Sequence, residues 1–365
     1  MSLGRPGDGG TWLPPLVDVH VHLGLVDPVA VRRGGIAVVH DLGWVPDVAR
    51  TWPGRSGFPE VAFAGAFLTA PGGYPADRSW APAGSVEEVG SPDAAVAAVD
   101  RQVAVGASFV KVALHSEAGP VPDDVTLAAL VGHAHARGRD VVAHVEGPGM
   151  AVRAFEAGVD RLAHAPFSER LPDELLAAMA RPRPSSRPSV EPPSPVAEHD
   201  PARGRPRPDG REGPHHVPQV VLGGTGESRT VWVSTLDVHG WGSPTAEQDV
   251  AVDNVRRFVA LGGTVVYGTD LGNGPLPPGL NPRELRALAA AGLDAHALVA
   301  ALTHDAPARR GVSDGVLRPG TQRASTHASL ATWVPGDLPD LDDPGAVAAW
   351  LARAVVVERD ARETP

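Results

Sequence analysis

Short runs of apolar and β-branched residues alternate along this 365-residue chain with longer, alanine-rich segments of helical period. The runs lie at 16–20 (LVDVH), 36–41 (IAVVHD), 61–68 (VAFAGAFL), 108–115 (SFVKVALH), 140–145 (DVVAHV), 160–164 (DRLAH), 231–236 (VWVSTL) and 264–269 (TVVYGT). Helical period marks 92–105, 123–137, 148–157, 172–180 and 245–261, and the first three of these close at Gly106, Gly138 and Gly158. A glycine there is the left-handed cap expected before the next strand. The runs do not alternate apolar with polar, so the strands need cover on both faces, as parallel strands joined by helices have. Eight such repeats predict an α/β fold, a (β/α)8 TIM-type barrel. The length suits one barrel of about 250 residues with additions.

The additions are visible as breaks in that pattern. Residues 1–15 read as a lead-in, 16–180 as the first six strand–helix units, and 219–293 as the continuation through strands seven and eight. Between them, 181–218 holds eleven prolines and seven arginines with almost no aliphatic residues. Such a segment cannot bury enough apolar surface to offset its ordering entropy, and we expect it to be disordered. It joins a helix to a strand, which puts it on the amino-terminal face of a barrel, away from the face where barrel sites form. The last part, 294–365, reads as one helix at 294–303 and strand-like pieces at 329–334 and 354–358, a reduced accessory β-segment.

Composition narrows the function classes. The chain has no cysteine, which removes disulfides, thiolate nucleophiles and cysteine-based zinc sites. A net charge of −11 without a basic cluster in the folded part argues against nucleic acid and anionic membranes as partners. No apolar run is long enough to span a bilayer, and the start lacks the apolar core of a signal peptide. A cytoplasmic protein acting on a small molecule is the expectation, with a homo-oligomer left open. Of 32 basic side chains 31 are arginine, and the single lysine is Lys111. An arginine stays protonated in proteins, whereas a buried lysine can lose its proton and react with an electrophile.

Metal-binding side chains then fall at the carboxyl ends of the expected strands. His20 and His22 stand two apart in VDVHVHLG, so both rings share a face. Lys111 ends the fourth strand, His144 the fifth, His164 the sixth and Asp270 the eighth. Singly, each is more often a core or capping residue. Together they lie where a barrel gathers its site. Neutral imidazoles and carboxylates suit Zn2+, with Mn2+, Co2+ or Fe2+ compatible with the same donors.

This order resembles the amidohydrolase superfamily, in which HxH stands on strand one, Lys on strand four, His on strands five and six, and Asp on strand eight. LPPLVDVHVHLG and VVYGTD are similar to the superfamily's first and last barrel strands, and ALTHDAPARRGVSDGVLRPG resembles the segment after the barrel in its imidazolonepropionase-like and prolidase-like branch. Two features depart from it: only about fifteen residues precede strand one, and ASLATWVPG replaces the usual acidic continuation. The resemblance implies two divalent cations. His20, His22 and Asp270 would hold one, His144 and His164 the other, with Lys111 bridging both as a carbamate formed with CO2. It further implies hydrolysis of a C–N bond in an amide, cyclic amide or dipeptide-like substrate by metal-bound hydroxide, with Asp270 passing the proton.

Substrate contacts are expected from residues just past strand ends: Tyr74, His115, Glu146, His239, Trp241 and Asn273. Residues 70–83 (APGGYPADRSWAPA) suit a lid. The remaining histidines His133, His135, His296, His304 and His327 read as surface or packing residues. Two rivals stay open, a one-metal deaminase, which usually lacks the strand-four lysine, and a barrel that keeps its ligands as a non-catalytic binding protein.

Overall fold

A computed structural model describes residues 9–184, 227–305 and 330–358. The expected insertion at 181–218 lies outside them apart from residues 181–184, and so does His327. In chain order the strands are β1 (Thr11–Leu13), β2 (Val17–Val21), β3 (Val38–Asp41), β4 (Glu60–Phe63) and β5 (Phe67–Thr69). Next come β6 (Val86–Glu88), β7 (Phe109–His115), β8 (Asp140–Glu146), β9 (Arg161–Leu162) and β10 (Arg183–Pro184). The last five are β11 (Glu227–Ser228), β12 (Val231–Val233), β13 (Thr264–Val266), β14 (Leu330–Val334) and β15 (Val355–Glu358).

Every pairing among β2–β9, β12 and β13 is parallel, in two sheets ordered β2-β3-β4 and β13-β12-β9-β8-β7-β5-β6. The sheets meet at both edges. On one side Val19 N donates to Tyr267 O at 3.1 Å and His22 N to Leu271 O at 2.7 Å, tying β2 to the chain leaving β13. On the other, β4 runs into β5 through Gly65. The expected third strand is therefore split, with β4 on β3 and β5 on β7. Gly65 sits at φ 78, and a Cβ there would fall 2.2 Å from Gln102 Oε1, the atom that accepts from Ala66 N. Only glycine makes that turn without strain. The result is an α/β fold whose parallel ladder wraps as a barrel does.

Helices at Pro92–Ala104, Asp124–Ala136, Met150–Glu156, Asp173–Ala180 and Ala246–Ala260 cover the ladder, close to the sequence periods. Side-chain oxygens of Ser91, Asp123 and Thr245 accept from the first-turn amides of three of them. The short β6 and the helices Pro282–Ala290 and Pro344–Leu351 had no counterpart in the sequence reading. At the amino ends of the strands Arg161 makes a two-armed pair with Asp305, Nη2 to Oδ1 at 3.2 Å, and its guanidinium lies 5.8 Å from the Phe109 ring centre. This buried pair fills that end. The opposite, carboxyl end is left for a cavity.

The accessory segment draws on both chain ends. β14 pairs antiparallel with β15 and with β1, so Thr11–Leu13, read in the sequence as part of a lead-in, is an edge strand. Leu16 N donates to Thr332 Oγ1 at 3.1 Å, and Leu13, Val334, Val347 and Trp350 belong to the same buried cluster as the barrel helices. Burial of each such side chain contributes roughly 1.5–3 kcal/mol, so the small sheet is fixed to the barrel.

Candidate metal centre

Each donor is set by the backbone beneath it. His20 is inside β2 and His22 just beyond it, so their rings emerge on one face of the chain. Asp270 stands four residues past β13 at φ 57, a left-handed conformation that aspartate tolerates better than most side chains. Asp18 locks these two segments together: its carboxylate accepts from His20 N at 3.1 Å, Thr269 N at 3.1 Å and Thr269 Oγ1 at 2.6 Å. Lys111 is the third residue of β7 rather than its end, and only its long side chain brings the amine to the site. His164 follows β9, and Thr235, itself at φ 42, puts its hydroxyl 2.9 Å from His164 Nδ1. A threonine in that region is strained, as residues at functional sites often are.

The proton positions that these contacts impose carry the argument. His20 Nδ1 donates to Ala163 O at 2.8 Å and His22 Nδ1 to Gly43 O at 3.3 Å. Burial keeps the His20 ring neutral, its pKa well below the usual value. With Nδ1 protonated, each Nε2 presents a lone pair, and both lie 3.1 Å from Asp270 Oδ1. Asp270 Oδ1 has no hydrogen-bond partner among the described residues, and a carboxylate oxygen is likewise an acceptor. Three acceptors facing one another repel unless a cation stands among them.

A second meeting joins two rings. His144 Nδ1 is 2.9 Å from His164 Nε2. His144 Nε2 lies 3.3 Å from Glu146 Oε2, and His164 Nδ1 lies 2.9 Å from the Thr235 hydroxyl, which can donate or accept, so the His144–His164 contact can be a hydrogen bond or can open its two nitrogens to a cation. Burial lowers the pKa of both rings, that of His164 strongly. Lys111 lines the same cavity as these rings, is 1% exposed, and its Nζ has no hydrogen-bond partner among the described residues. Burial lowers its pKa to about 7 against the pull of Asp270 and Asp41, so much of it is a neutral amine near neutrality. The donor set fits divalent cations.

By convergence of three donors within 4.8 Å, two groups qualify as metal sites: His20, His22 and Asp270, and His115, His144 and Glu146. The second brings in His115 and Glu146 where the sequence reading had His164.

These residues floor a cavity of about 390 Å³. Of the expected substrate contacts, Tyr74, Glu146, His239 and Asn273 line it. His115 sits behind, its ring centre 4.9 Å from that of Tyr74 and its Nε2 3.3 Å from Glu146 Oε1. Trp241 is 46% exposed, packs over Gly274 and does not line the cavity. His239 rests on the Phe167 ring at 4.1 Å, and its buried Nε2 has no partner among the described residues. Burial lowers its pKa to about 4. Asn273 Nδ2 donates to Asp270 Oδ2 at 2.9 Å.

Sequence reasoning missed the aromatic walls, Phe67, Trp80 and Phe167, although Trp80 lies in the segment read as a lid. It also missed Asp41, buried beside the site with its oxygens accepting from Leu23 N at 2.7 Å and Gly43 N at 3.3 Å. Trp80 and Phe167 lie in loops, where aromatics carry no periodic signal, Phe67 reads only as part of a strand, and a carboxylate bound to backbone amides leaves no partner to find in the sequence.

Comparison with known proteins agrees at the level of the fold. No protein-family model matches the chain. Uncharacterized proteins of Mycobacterium tuberculosis and Mycobacterium bovis are 29% identical over 195 residues, 47% of this chain and 48% of theirs, so the chain spans about half the length of the curated relatives it matches. Among solved structures, a Xaa-Pro dipeptidase with methionine in its active site superposes with TM-score 0.61 at 17% identity, over 96% of this chain and 86% of that one. A protein described as an amidohydrolase gives 0.62 at 19%, over 95% and 86%. The A. niger ochratoxinase gives 0.62 at 18%, over 95% and 82%. The structural neighbours are thus amidohydrolases, prolidases and dipeptidases among them, over nearly the whole chain.

Proposed function

We propose that the chain is a metal-dependent hydrolase of the amidohydrolase superfamily, cleaving a C–N bond in an amide, cyclic amide or dipeptide-like substrate. The observation that carries the reading is the meeting of His20, His22 and Asp270 as three acceptors, in one cavity with an unpartnered lysine amine and the His144–His164 pair. His20, His22 and Asp270 would hold one divalent cation and His144 with His164 the other, zinc being the best match to the donors. Bound there, the cations would acidify a water and polarise the scissile carbonyl. Lys111 would supply the amine nitrogen of a carbamate whose two oxygens come from CO2, with loss of one proton, a group no arginine can form.

The chain's own groups account for the rest. Asp270, kept ionised and aimed by Asn273, takes the proton of the attacking water through a carboxylate oxygen and returns it to the leaving nitrogen. His239, neutral above about pH 4, offers a hydrogen-bond donor to the oxygen on which charge develops. Tyr74, Trp80 and Phe167 wall the cavity and exclude water from the substrate. In this reading the protein works in the cytoplasm on a small molecule, without nucleic acid or membrane; no helix among the described residues is long and apolar enough to cross a bilayer.

The test is a metal count joined to a substrate screen. Protein loaded with zinc or manganese in bicarbonate buffer should retain two equivalents per chain and hydrolyse at least one N-acyl amino acid, dipeptide, hydantoin, lactam or arylamide. One equivalent with ammonia released from an aminated ring would favour the deaminase instead. No retained metal would leave only a binding barrel.

A further inference from the structure

Glu146 is left over by that assignment. It ends β8, its side chain is 27% exposed, and it lines the cavity. Its two oxygens touch only imidazoles, His115 Nε2 and His144 Nε2, each at 3.3 Å. No arginine or lysine pairs with it among the described residues, and Lys111 is the only cationic side chain among those that line the cavity. The carboxylate thus has no guanidinium or ammonium paired with it among the described residues and borders the space a substrate must enter.

Its surroundings are aromatic. Tyr74 stacks on His144 with ring centres 5.0 Å apart, Trp80 stands 6.3 Å from Tyr74, and Phe67 stands 5.8 Å from Trp80. Arg78 covers the Tyr74 ring at 5.4 Å but does not line the cavity. With Tyr74 stacked on His144 and covered by Arg78, the attraction for an organic cation comes from the carboxylate charge and from the Trp80 ring that lines the same cavity. Glu146 repels a second carboxylate, for which no arginine lines the cavity.

We propose that this end of the cavity binds an organic ammonium group. The substrate class is then an amide that carries an ammonium a few bonds from its scissile carbonyl and has no free carboxylate, such as an aminoacyl arylamide. This rests on the hydrolase reading above. Hydrolysis adds water across the C–N bond and releases the amino acid and the free amine. Glu146 acts by holding the ammonium, and Trp80 supplies a ring face in the same cavity.

The test uses the metal-loaded full chain and separates binding from turnover. The probe is (2-phenylethyl)trimethylammonium, whose quaternary nitrogen has no lone pair to give a metal, against its uncharged carbon isostere. Tryptophan fluorescence should show about tenfold tighter binding of the cation. Glu146→Gln should bring the two to near equality, and Glu146→Asp should restore most of the difference. In turnover, phenylalanine p-nitroanilide should exceed its N-acetyl form in kcat/KM by about tenfold, and phenylalanyl-glycine should be poor. Equal binding of cation and isostere overturns the proposal, as does a preference for N-acetyl or carboxylate-bearing substrates. So does a metal ion that the wild type holds and Glu146→Gln releases, since Glu146 would then be a ligand. Selective cation binding with no amide turned over would support the ammonium site and sink the hydrolase reading instead.

Discussion

Asn273 turns Asp270 toward its histidines: its amide donates to Oδ2 at 2.9 Å, which leaves Oδ1 facing His20 and His22. A hydrogen bond to a charged group is worth about 1.5–3 kcal/mol, roughly 10- to 100-fold in rate if it is spent on orientation. Asn273→Ala should lower kcat by that much with metal content unchanged. Asn273→Asp, which sets a like charge against Asp270, should be worse. Equal kcat in both variants and the wild type would remove Asn273 from the machinery. Metal analysis beside steady-state kinetics reads the outcome.

Lys111→Arg keeps a charge but cannot form a carbamate, so it should lose at least one metal equivalent. Lys111→Ala opens room for a small carboxylate, and acetate or propionate should restore part of the metal and activity. Since burial lowers the wild-type pKa to about 7, the reactive neutral amine grows as pH rises through that value. Bicarbonate-dependent reconstitution should therefore quicken from about pH 6 to about pH 8. Two metals and wild-type turnover in Lys111→Arg would end the carbamate reading.

His239→Ala removes the one neutral donor seated on Phe167. Loss of a single donor to a developing oxyanion costs on the order of 100-fold in kcat, with KM changed little. His239→Gln, which keeps an N–H, should recover part of it. With its pKa lowered to about 4, His239 should add no limb to the pH–rate profile between about pH 6 and pH 9. A change confined to KM would make it a binding residue only.

Glu284 gives a stability test away from the metal ligands. It is fully buried, accepts from Leu236 N at 2.9 Å and Asp237 N at 2.7 Å, and burial raises its pKa from 4.5 to about 7. The folded chain thus holds a proton that the unfolded chain releases above about pH 4.5. This contribution is complete below about pH 4.5 and declines as pH rises to about 7, by on the order of 3 kcal/mol. Glu284→Gln should flatten that part of the Tm–pH curve relative to the wild type. A wild-type curve of unchanged shape in the variant would count against it.

The repeating fold and the gathering of His20, His22, His144, His164 and Asp270 at one cavity were legible because they follow from local signals: a run of apolar residues, a glycine cap, a histidine at a fixed offset. What escaped depends on distance. β1 gains its strand identity from Leu330–Val334, at the other end of the chain. The break in the third strand depends on Gln102, which accepts from Ala66 N across a helix. Lys111 looked terminal because its amine is; its backbone lies mid-strand, and a long side chain makes up the difference. Glu284 and Asp41 bind backbone amides, which every sequence has and none displays.

One small ladder has a practical consequence. Arg183–Pro184 pairs antiparallel with Glu227–Ser228, so the segment between them leaves and re-enters the barrel at a single stem. That stem stands at the amino end of β12, whereas the cavity opens at the carboxyl ends. The stem thus marks a graft point: a reporter domain, an affinity handle or a shorter turn spliced between Pro184 and Glu227 would join the barrel on the side away from the cavity.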